Sequence, residues 1–497
     1  MAEHHSASEH LDLEAIAHQA MVDAGFHPDP SPSLSAELRS LESNQQTAGT
    51  SSSARDLRSL LWSSIDDRKS RDLDQVECAE RLVGGETRVL IGIADVDAIV
   101  RKGSEVDQHA AQNATSVYTG VRTFPMLPEE LSTDATSLVG GADRSSIVTE
   151  LIVAADGAVK SSDIFPALIH NHAKLSYEAV GAWLDQKGPT PPEIESVPGM
   201  AEQIKLQFEA AENLGELRKE NGALKLETIQ ASPVIVKGRA TDLSVIERNS
   251  ARDLIENFMI AANVAMARFL NSQNSLSIRR VVKTPEHWDR IVEIAQEVGE
   301  QLPEKADSRA LADFLARRKA ADPDHFPDLS LSIVKLLGPG EYCVQTPGSV
   351  SKQGDHFGLA VHDYTHSTAP NRRYADLVTQ RLVKAAFTKA DAPYTEAELE
   401  SIASHCTERE DAARKVERKM RKVVAAVLMQ KRIGESFDAI VTGVTDKGTF
   451  ARIIKPPVDG RVMHGEQGLR VGEKIRVELV HTDPQRGFID FARVGKH

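Results

Sequence analysis

The spacing of apolar positions divides the chain into segments of different character. Leu13, Ile16, Ala20, Met21 and Ala24 recur at helical intervals and stop at Gly25, which predicts an amphipathic helix with a glycine C-cap. A second short helix is predicted over SLSAELRSLE, after the proline-rich PDPSP. SNQQTAGTSSS, Ser43 to Ser53, then reads as a linker, because small polar residues and glycine offer nothing to bury. From Arg55 to about Lys160 the apolar runs are short and β-branched, and TRVLIGIADVDAIV has the pattern of a buried strand. Long helical periods follow: in NSARDLIENFMIAANVAMARFL, Leu254, Ile255, Phe258, Met259 and Ala262 share one face. The stretch Glu396 to Arg432 is helical in period and stops at Gly434. Beyond it lie several short strands, with turn signals at Asp446–Gly448 and Pro484–Gly487. That is the pattern of a small closed β-barrel.

Composition narrows the class without choosing a function. The 497 residues exceed one compact core, so two to four domains are expected. With 41% hydrophobic and 27% charged residues the chain is globular rather than disordered. No apolar run approaches the ~20 residues of a membrane span, and MAEHHSASEH has no signal-peptide core. Cys78, Cys343 and Cys406 are far apart, which fits a reduced cytoplasm and neither disulfides nor a structural zinc. The net charge of −14 speaks against a phosphate-bearing partner, but it is uneven. Glu417 to Arg432 is basic, and Asn371 to Tyr374 places two arginines side by side. A local basic channel remains compatible with global acidity.

The densest chemistry is IDDRKSRDLDQ, with Asp66, Asp67, Asp72 and Asp74 inside nine residues. On extended backbone Asp72 and Asp74 point the same way, and the intervening turn can return Asp66 and Asp67 to them. Converging carboxylates repel unless a cation separates them. Oxygen-only ligands suit Mg²⁺ or Mn²⁺, the usual ions of phosphate chemistry. D-x-D pairs are also common in surface turns, so the cluster alone does not establish a metal site.

Further blocks supply context. SIDDRKSRDLD is followed by IADVDAIVRKGSEVDQHAAQNATSVYTGVRTFPMLPEELS, HAKLSYEAV, GALKLET, RNSARDLIENFMIAANVAMARFL and HFGLAVHDYTHSTAPNRRYADLVTQRLV. Together, from about Arg55 to Leu382, they resemble the catalytic RNB domain of the ribonuclease II and ribonuclease R family. The resemblance implies a 3′→5′ exoribonuclease that hydrolyses single-stranded RNA processively to nucleoside 5′-monophosphates with Mg²⁺. It implies metal ligation by Asp66, Asp72 and Asp74, with Asp74 also catalytic. The family's fourth aspartate should follow Asp74, and here the residue is Gln75. An amide supplies no charge but can bond a metal-bound water; Asp67 is a candidate substitute.

The same resemblance makes Tyr118 the aromatic that stacks near the RNA 3′ end, worth ~1–3 kcal/mol per base. Arg372 becomes the guanidinium that grips phosphate and steadies transition-state charge. Arg373 is an RNA contact or a structural ion-pair partner. His366 reads as a buried, hydrogen-bonded histidine. Ser367, Ala369 and Asn371 depart from the family pattern, so the channel lining there is expected to differ. Glu417 aligns loosely with a glutamate near the reaction centre; an exposed helical charge is the plainer reading.

The last sixty residues resemble the OB-fold RNA-binding domain of the ribosomal S-one type. Phe437 and Phe450 are candidate base-stacking aromatics, flanked by Lys447, Arg452 and Lys455; either phenylalanine could instead be barrel core. The expected fold class is α+β, with a helical element at 1–54, the catalytic domain at 55–433 and the barrel at 434–497. About fifty residues precede the catalytic blocks, too few for the two cold-shock barrels usual in ribonuclease II, so a wider entrance for structured RNA with a 3′ overhang is expected. The chain is expected to act as a monomer. The rival readings are a catalytically weak RNA-binding protein, disabled at Gln75, and a Mg²⁺ enzyme acting on small phosphate esters.

Overall fold

The computed structural model describes residues 11–44, 54–227, 231–236, 239–245, 248–323, 325–348 and 356–495. Most of the linker read at Ser43–Ser53, and the N-terminal ten residues, lie outside them. Strand Gln75–Arg81 is buried on both faces over its first five residues, as a strand covered on two sides must be. It pairs with Trp62–Asp66 on one side and Thr87–Ala94 on the other. Thr87–Ala94 pairs with Asp143–Val153. The long strand Val159–Ser176 pairs with both Asp143–Val153 and Trp62–Asp66, so the pairing closes on itself.

Two apolar cores flank this sheet. On one face Ile65, Val89, Ile91 and Leu151 pack with Ile204 and Ala211 of helix Met200–Glu220 and with Leu254 and Phe258 of helix Ser250–Ser272. On the other, Trp62, Val76 and Leu90 share a core with Leu377 and Val378 of helix Tyr374–Thr388. Each such side chain contributes about 1.5–3 kcal/mol when fully buried. Helices Trp288–Glu297, Ser308–Ala321 and Phe326–Leu337 surround a separate core of Trp288, Phe314 and Ile333. Helix Glu105–Asn113, capped by Ser104, interrupts the region that the pattern predicts as strands. Its only buried apolar residues are Val106 and Ala110, too few to announce a helix.

The helix Glu396–Met429 connects the parts. Thr395 and Glu398 form a capping box at its start. Along it, Ala413, Val416 and Met420 pack with Leu13, Ala17 and Met21 of helix Leu13–Asp23. At its end Ala425, Ala426 and Met429 enter the core of a closed five-stranded barrel. The barrel is an OB fold, and the whole is α+β. Among the described residues no helix is long and apolar enough to cross a membrane.

Candidate active site

Asp66 stands at the last position of strand Trp62–Asp66. Its Oδ1 accepts from the Asp67 N–H at 2.6 Å and the Ser70 hydroxyl at 2.9 Å, which shapes the turn after it. The chain returns through Asp72 and Asp74 into strand Gln75–Arg81. Between them Leu73 is buried and pinned: its N–H donates to the Ser137 hydroxyl and its carbonyl accepts from Leu138 N–H, both at 2.9 Å. A buried apolar residue flanked by two aspartates forces both carboxylates toward the opposite side of the turn.

Asp74 is 2% exposed. Its Oδ1 accepts the Asn371 backbone N–H and its Oδ2 the Arg372 Nε–H, each at 3.0 Å. Burial nevertheless pushes its carboxyl up to about 7, against the pull of Arg372 and the Asn371 N–H and with the help of the Asp72 charge. Asp72 is also raised, by burial first, with Arg372 opposing and Asp66 adding to the rise. Arg372 is held charged by Asp74, Asp66 and Asp72 against its own desolvation, and its side chain is half exposed. Three carboxylates and one accessible guanidinium therefore share one electrostatic site.

Tyr118 faces the same site from the two-stranded hairpin Val117–Tyr118 and Thr123–Phe124. This segment is joined to the Arg372 loop: Ser116 N–H donates to Arg372 carbonyl at 2.9 Å, as does Tyr374 N–H to Ala114 carbonyl. Tyr118 is 44% exposed, yet burial of its hydroxyl by the surrounding protein pushes it up to about 12, with Arg372 opposing and Asp72 and Asp74 adding. An accessible ring inside a desolvated recess has the geometry that base stacking needs. Glu417 arrives from the long helix and accepts the Tyr118 N–H at 3.0 Å. It is a part-buried clamp on this hairpin, not a free helical charge, and burial raises its carboxyl.

Other expected site residues are placed elsewhere. Arg373 turns from the pocket to Asp376, 2.7 Å away, because that fully buried carboxylate in the first turn of helix Tyr374–Thr388 needs a cation. Its guanidinium thus serves a structural ion pair. Asp67 is bonded to Arg252 at 2.7 Å, so its charge is already matched. The Asn371 side chain bonds Thr136 Oγ1 at 2.5 Å and does not line a channel. His366 is half-buried with its Nδ1 2.7 Å from the Tyr342 hydroxyl, and desolvation by the surrounding protein lowers its pKa well below the ordinary value. Gln75 is buried on the strand face away from Asp74, with Nε2 3.5 Å from the Ile65 carbonyl.

In the barrel, alternation along strand Ser436–Thr445 puts Phe437 inward, 7% exposed, in the core with the Arg432 guanidinium 4.6 Å from its ring centroid. It is not a stacking surface. Arg452 is paired with Asp459 at 3.1 Å and Asp328 at 3.7 Å, and ties the barrel to helix Phe326–Leu337. Phe450 is half-buried on the outward face of strand Gly448–Ile453. Phe488, 54% exposed, is the barrel's open aromatic. Its place directly after the turn Pro484–Gly487 gives no pattern that marks it as exposed.

Among the described residues, no three His, Cys, Asp or Glu side chains form a ready-made metal cage. The donor chemistry still fits a hard divalent ion: Asp66, Asp72 and Asp74 offer only oxygen, and after burial the Asp66 charge adds to the rise at Asp72 and the Asp72 charge to that at Asp74, with the Arg372 guanidinium opposing both.

Residues 54–389 match the RNB domain, and residues 435–494 match the RNase II-type exonuclease C-terminal S1 domain. Ribonuclease R of Thermotoga maritima is 29% identical over 474 residues, covering 88% of this chain and 65% of that protein. Ribonuclease R of Escherichia coli K12 is 28% identical over 478 residues, covering 88% and 57%. The chain thus spans somewhat more than half the length of these curated relatives. The structure of Mycoplasma genitalium RNase R in complex with ribose-methylated single-stranded RNA superposes with a TM-score of 0.86 at 23% identity, over 97% of this chain and 78% of that one. Yeast Ssd1, a pseudonuclease, superposes with a TM-score of 0.69 at 17% identity, over 94% and 58%. The two likenesses are of fold.

Proposed function

The chain belongs to the RNB-domain family, and from that premise we propose that it is a divalent-metal-dependent exoribonuclease. It shortens single-stranded RNA processively from the 3′ end and releases nucleoside 5′-monophosphates. The observation that carries the reading is Asp74, buried and yet joined to the accessible Arg372 at 3.0 Å beside the open Tyr118 ring. A carboxylate cluster, a phosphate-gripping cation and a base platform meet there.

Mg²⁺ or Mn²⁺, held by Asp66, Asp72 and Asp74, supplies activation of the attacking water and charge balance at the leaving oxygen. The chain's own groups do the rest. Tyr118 stacks on the terminal bases and fixes how far the 3′ end enters. Arg372 donates to the non-bridging oxygens of the scissile phosphate and stabilises the charge that builds on them. Asn371 N–H and Arg372 hold Asp74 in one rotamer. The barrel, with Phe450 and Phe488 outward, and the exposed Arg418, Arg421 and Lys422 of the long helix guide the strand inward.

One observation favours a second reading, a weakly catalytic RNA-binding protein: Gln75 is buried and its amide faces a backbone carbonyl. The RNB fold is compatible with loss of chemistry. 5′-Labelled single-stranded RNA incubated with Mg²⁺, beside an EDTA control, separates the two. Metal-dependent release of 5′-monophosphates down to a short labelled remnant supports the exonuclease. Tight binding without cleavage in Mg²⁺ and Mn²⁺ alike supports the second reading.

A further inference from the structure

The N-terminal helices lie outside the matched RNB residues 54–389, and no step of the proposed chemistry uses them. They nevertheless grip, at both ends, helix Glu105–Asn113, which leads into the Tyr118 hairpin. At its start stands helix Pro32–Asn44. The Ser33 hydroxyl donates to Glu105 at 2.7 Å, and Glu37 accepts the Val106 N–H, an orphan of the first turn, at 3.2 Å. Leu34 and Leu38 share one core with Val106 and Ala110. At the other end, the buried Asn113 amide accepts the His27 N–H at 2.9 Å and donates to the His27 carbonyl at 3.0 Å. That segment is itself anchored on the long helix, where Arg409 donates to the carbonyls of Ala24 and Gly25, both at 3.0 Å.

After Asn113 the chain turns sharply. Ala114 takes left-handed backbone, φ 58°, which L side chains rarely adopt, so the turn has to be held by its surroundings. Asn113 ties one side of it to His27, and the Tyr374 N–H ties the Ala114 carbonyl on the other, at 2.9 Å. From this turn the backbone runs directly past the Arg372 carbonyl, which Ser116 N–H meets at 2.9 Å, to Tyr118. The N-terminal helix also touches the hairpin itself. The His18 and Phe124 ring centroids are 6.5 Å apart, and Val117 and Phe124 share a core with Leu13, Ala17 and Met21.

We propose that the N-terminal helices set the seat of the RNA 3′ end, with Asn113 as the positioning residue that passes their placement to Tyr118. Asn113 touches neither RNA nor the reacting phosphate and acts through the left-handed turn at Ala114. The inference rests on the reading of Tyr118 as the base platform.

The test is a double-mutant cycle on the full chain, read as affinity for a short single-stranded RNA in EDTA, where nothing is cut. Asn113→Ala is expected to weaken binding about fivefold, the low end of one lost stack. With Mg²⁺ and long RNA it is expected to lengthen or blur the limit product, which a lower folded fraction alone would not move. Asn113→Asp keeps the shape and the acceptor for His27 N–H but loses the donor to the His27 carbonyl. A smaller loss in the same direction is expected there, which tests the point even if Asn113→Ala fails to fold. Added to Tyr118→Ala, either change is expected to cost no further affinity, because both act at one place. Additive losses overturn the inference, as does wild-type affinity or a wild-type limit product in the Asn113 variants. Unchanged affinity in Tyr118→Ala overturns the platform reading and this inference with it. If the wild type binds RNA but does not cut, the exonuclease reading falls and the affinities alone decide this inference.

Discussion

The pocket around Asp74 and the C-terminal barrel are both candidate RNA surfaces, and they are built in opposite ways. The pocket draws Asp66, Asp72, Asp74, Tyr118, Arg372 and Glu417 from segments hundreds of residues apart, and backbone hydrogen bonds lock those segments together. The barrel is assembled from five neighbouring strands whose inward positions form their own core. In the pocket, polar groups are desolvated and their pKa values move. In the barrel, aromatic and basic residues sit at a surface where one step of register decides whether they face RNA or core. A polar site held by tertiary contacts fixes each residue's role, whereas a pattern of alternation fixes only a face.

The sharpest way to break this comparison is Asp74→Asn. It keeps an acceptor for the Asn371 N–H and loses the charge, so turnover is expected to fall by about 10³-fold with RNA affinity within about twofold. Single-turnover cleavage beside a binding titration measures both; normal cutting would remove Asp74 from the chemistry. In the barrel, Phe437→Ala is expected to cost about 3 kcal/mol of stability, as an emptied core site does. Phe488→Ala should leave urea unfolding unchanged and weaken binding of long RNA only. Reversal of these two phenotypes would return Phe437 to the RNA surface.

Tyr118→Ala comes next, with ~1–3 kcal/mol lost at the terminal bases and a longer or blurred limit product on a sequencing gel. An unchanged end fragment would make the ring a packing group. The smallest effect is that of pH. Asp74 is raised from an ordinary 3.8 to about 7, so the folded, metal-free protein holds a proton that the unfolded chain has released. Its stability therefore falls as pH rises from about 4 through about 7. Divalent-ion affinity moves the other way, gaining about twofold between pH 7 and 8 as that proton leaves. Asp74→Asn should flatten the stability slope; an unchanged slope would assign it to Asp72 or Glu77.

Much of the fold was legible because its signals were local. The helix at Leu13–Asp23, the long helix ending before Gly434 and the turn-punctuated barrel each announce themselves by period and punctuation. In the pocket, the D-x-D spacing pointed to Asp72 and Asp74 and the family resemblance to Arg372, and the structure brings them together. What stayed hidden depends on partners far along the chain. Nothing in NRRY says which arginine meets Asp74 and which meets Asp376. The backbone N–H of Asn371 carries no side-chain signal at all. Glu77 had a faint one, an acid inside the apolar run VECA, and only burial reveals how unusual it is. Phe437 illustrates the converse: its residue type suited RNA, but its parity along the strand put it inside.

The helix Glu396–Met429 carries one more implication. Glu417 holds the Tyr118 hairpin, and twelve residues later Met429 is embedded in the barrel. At 1.5 Å per residue those two anchor points are about 18 Å apart on one rigid rod. Under the proposed function, in which the barrel gathers the strand and the Tyr118 hairpin seats its end, the two places are joined by a fixed ruler. An RNA too short to span both marks is then expected to lose one of its two grips, whatever its sequence, so that the helix would set a minimum length for firm holding in the way a gauge block sets a gap.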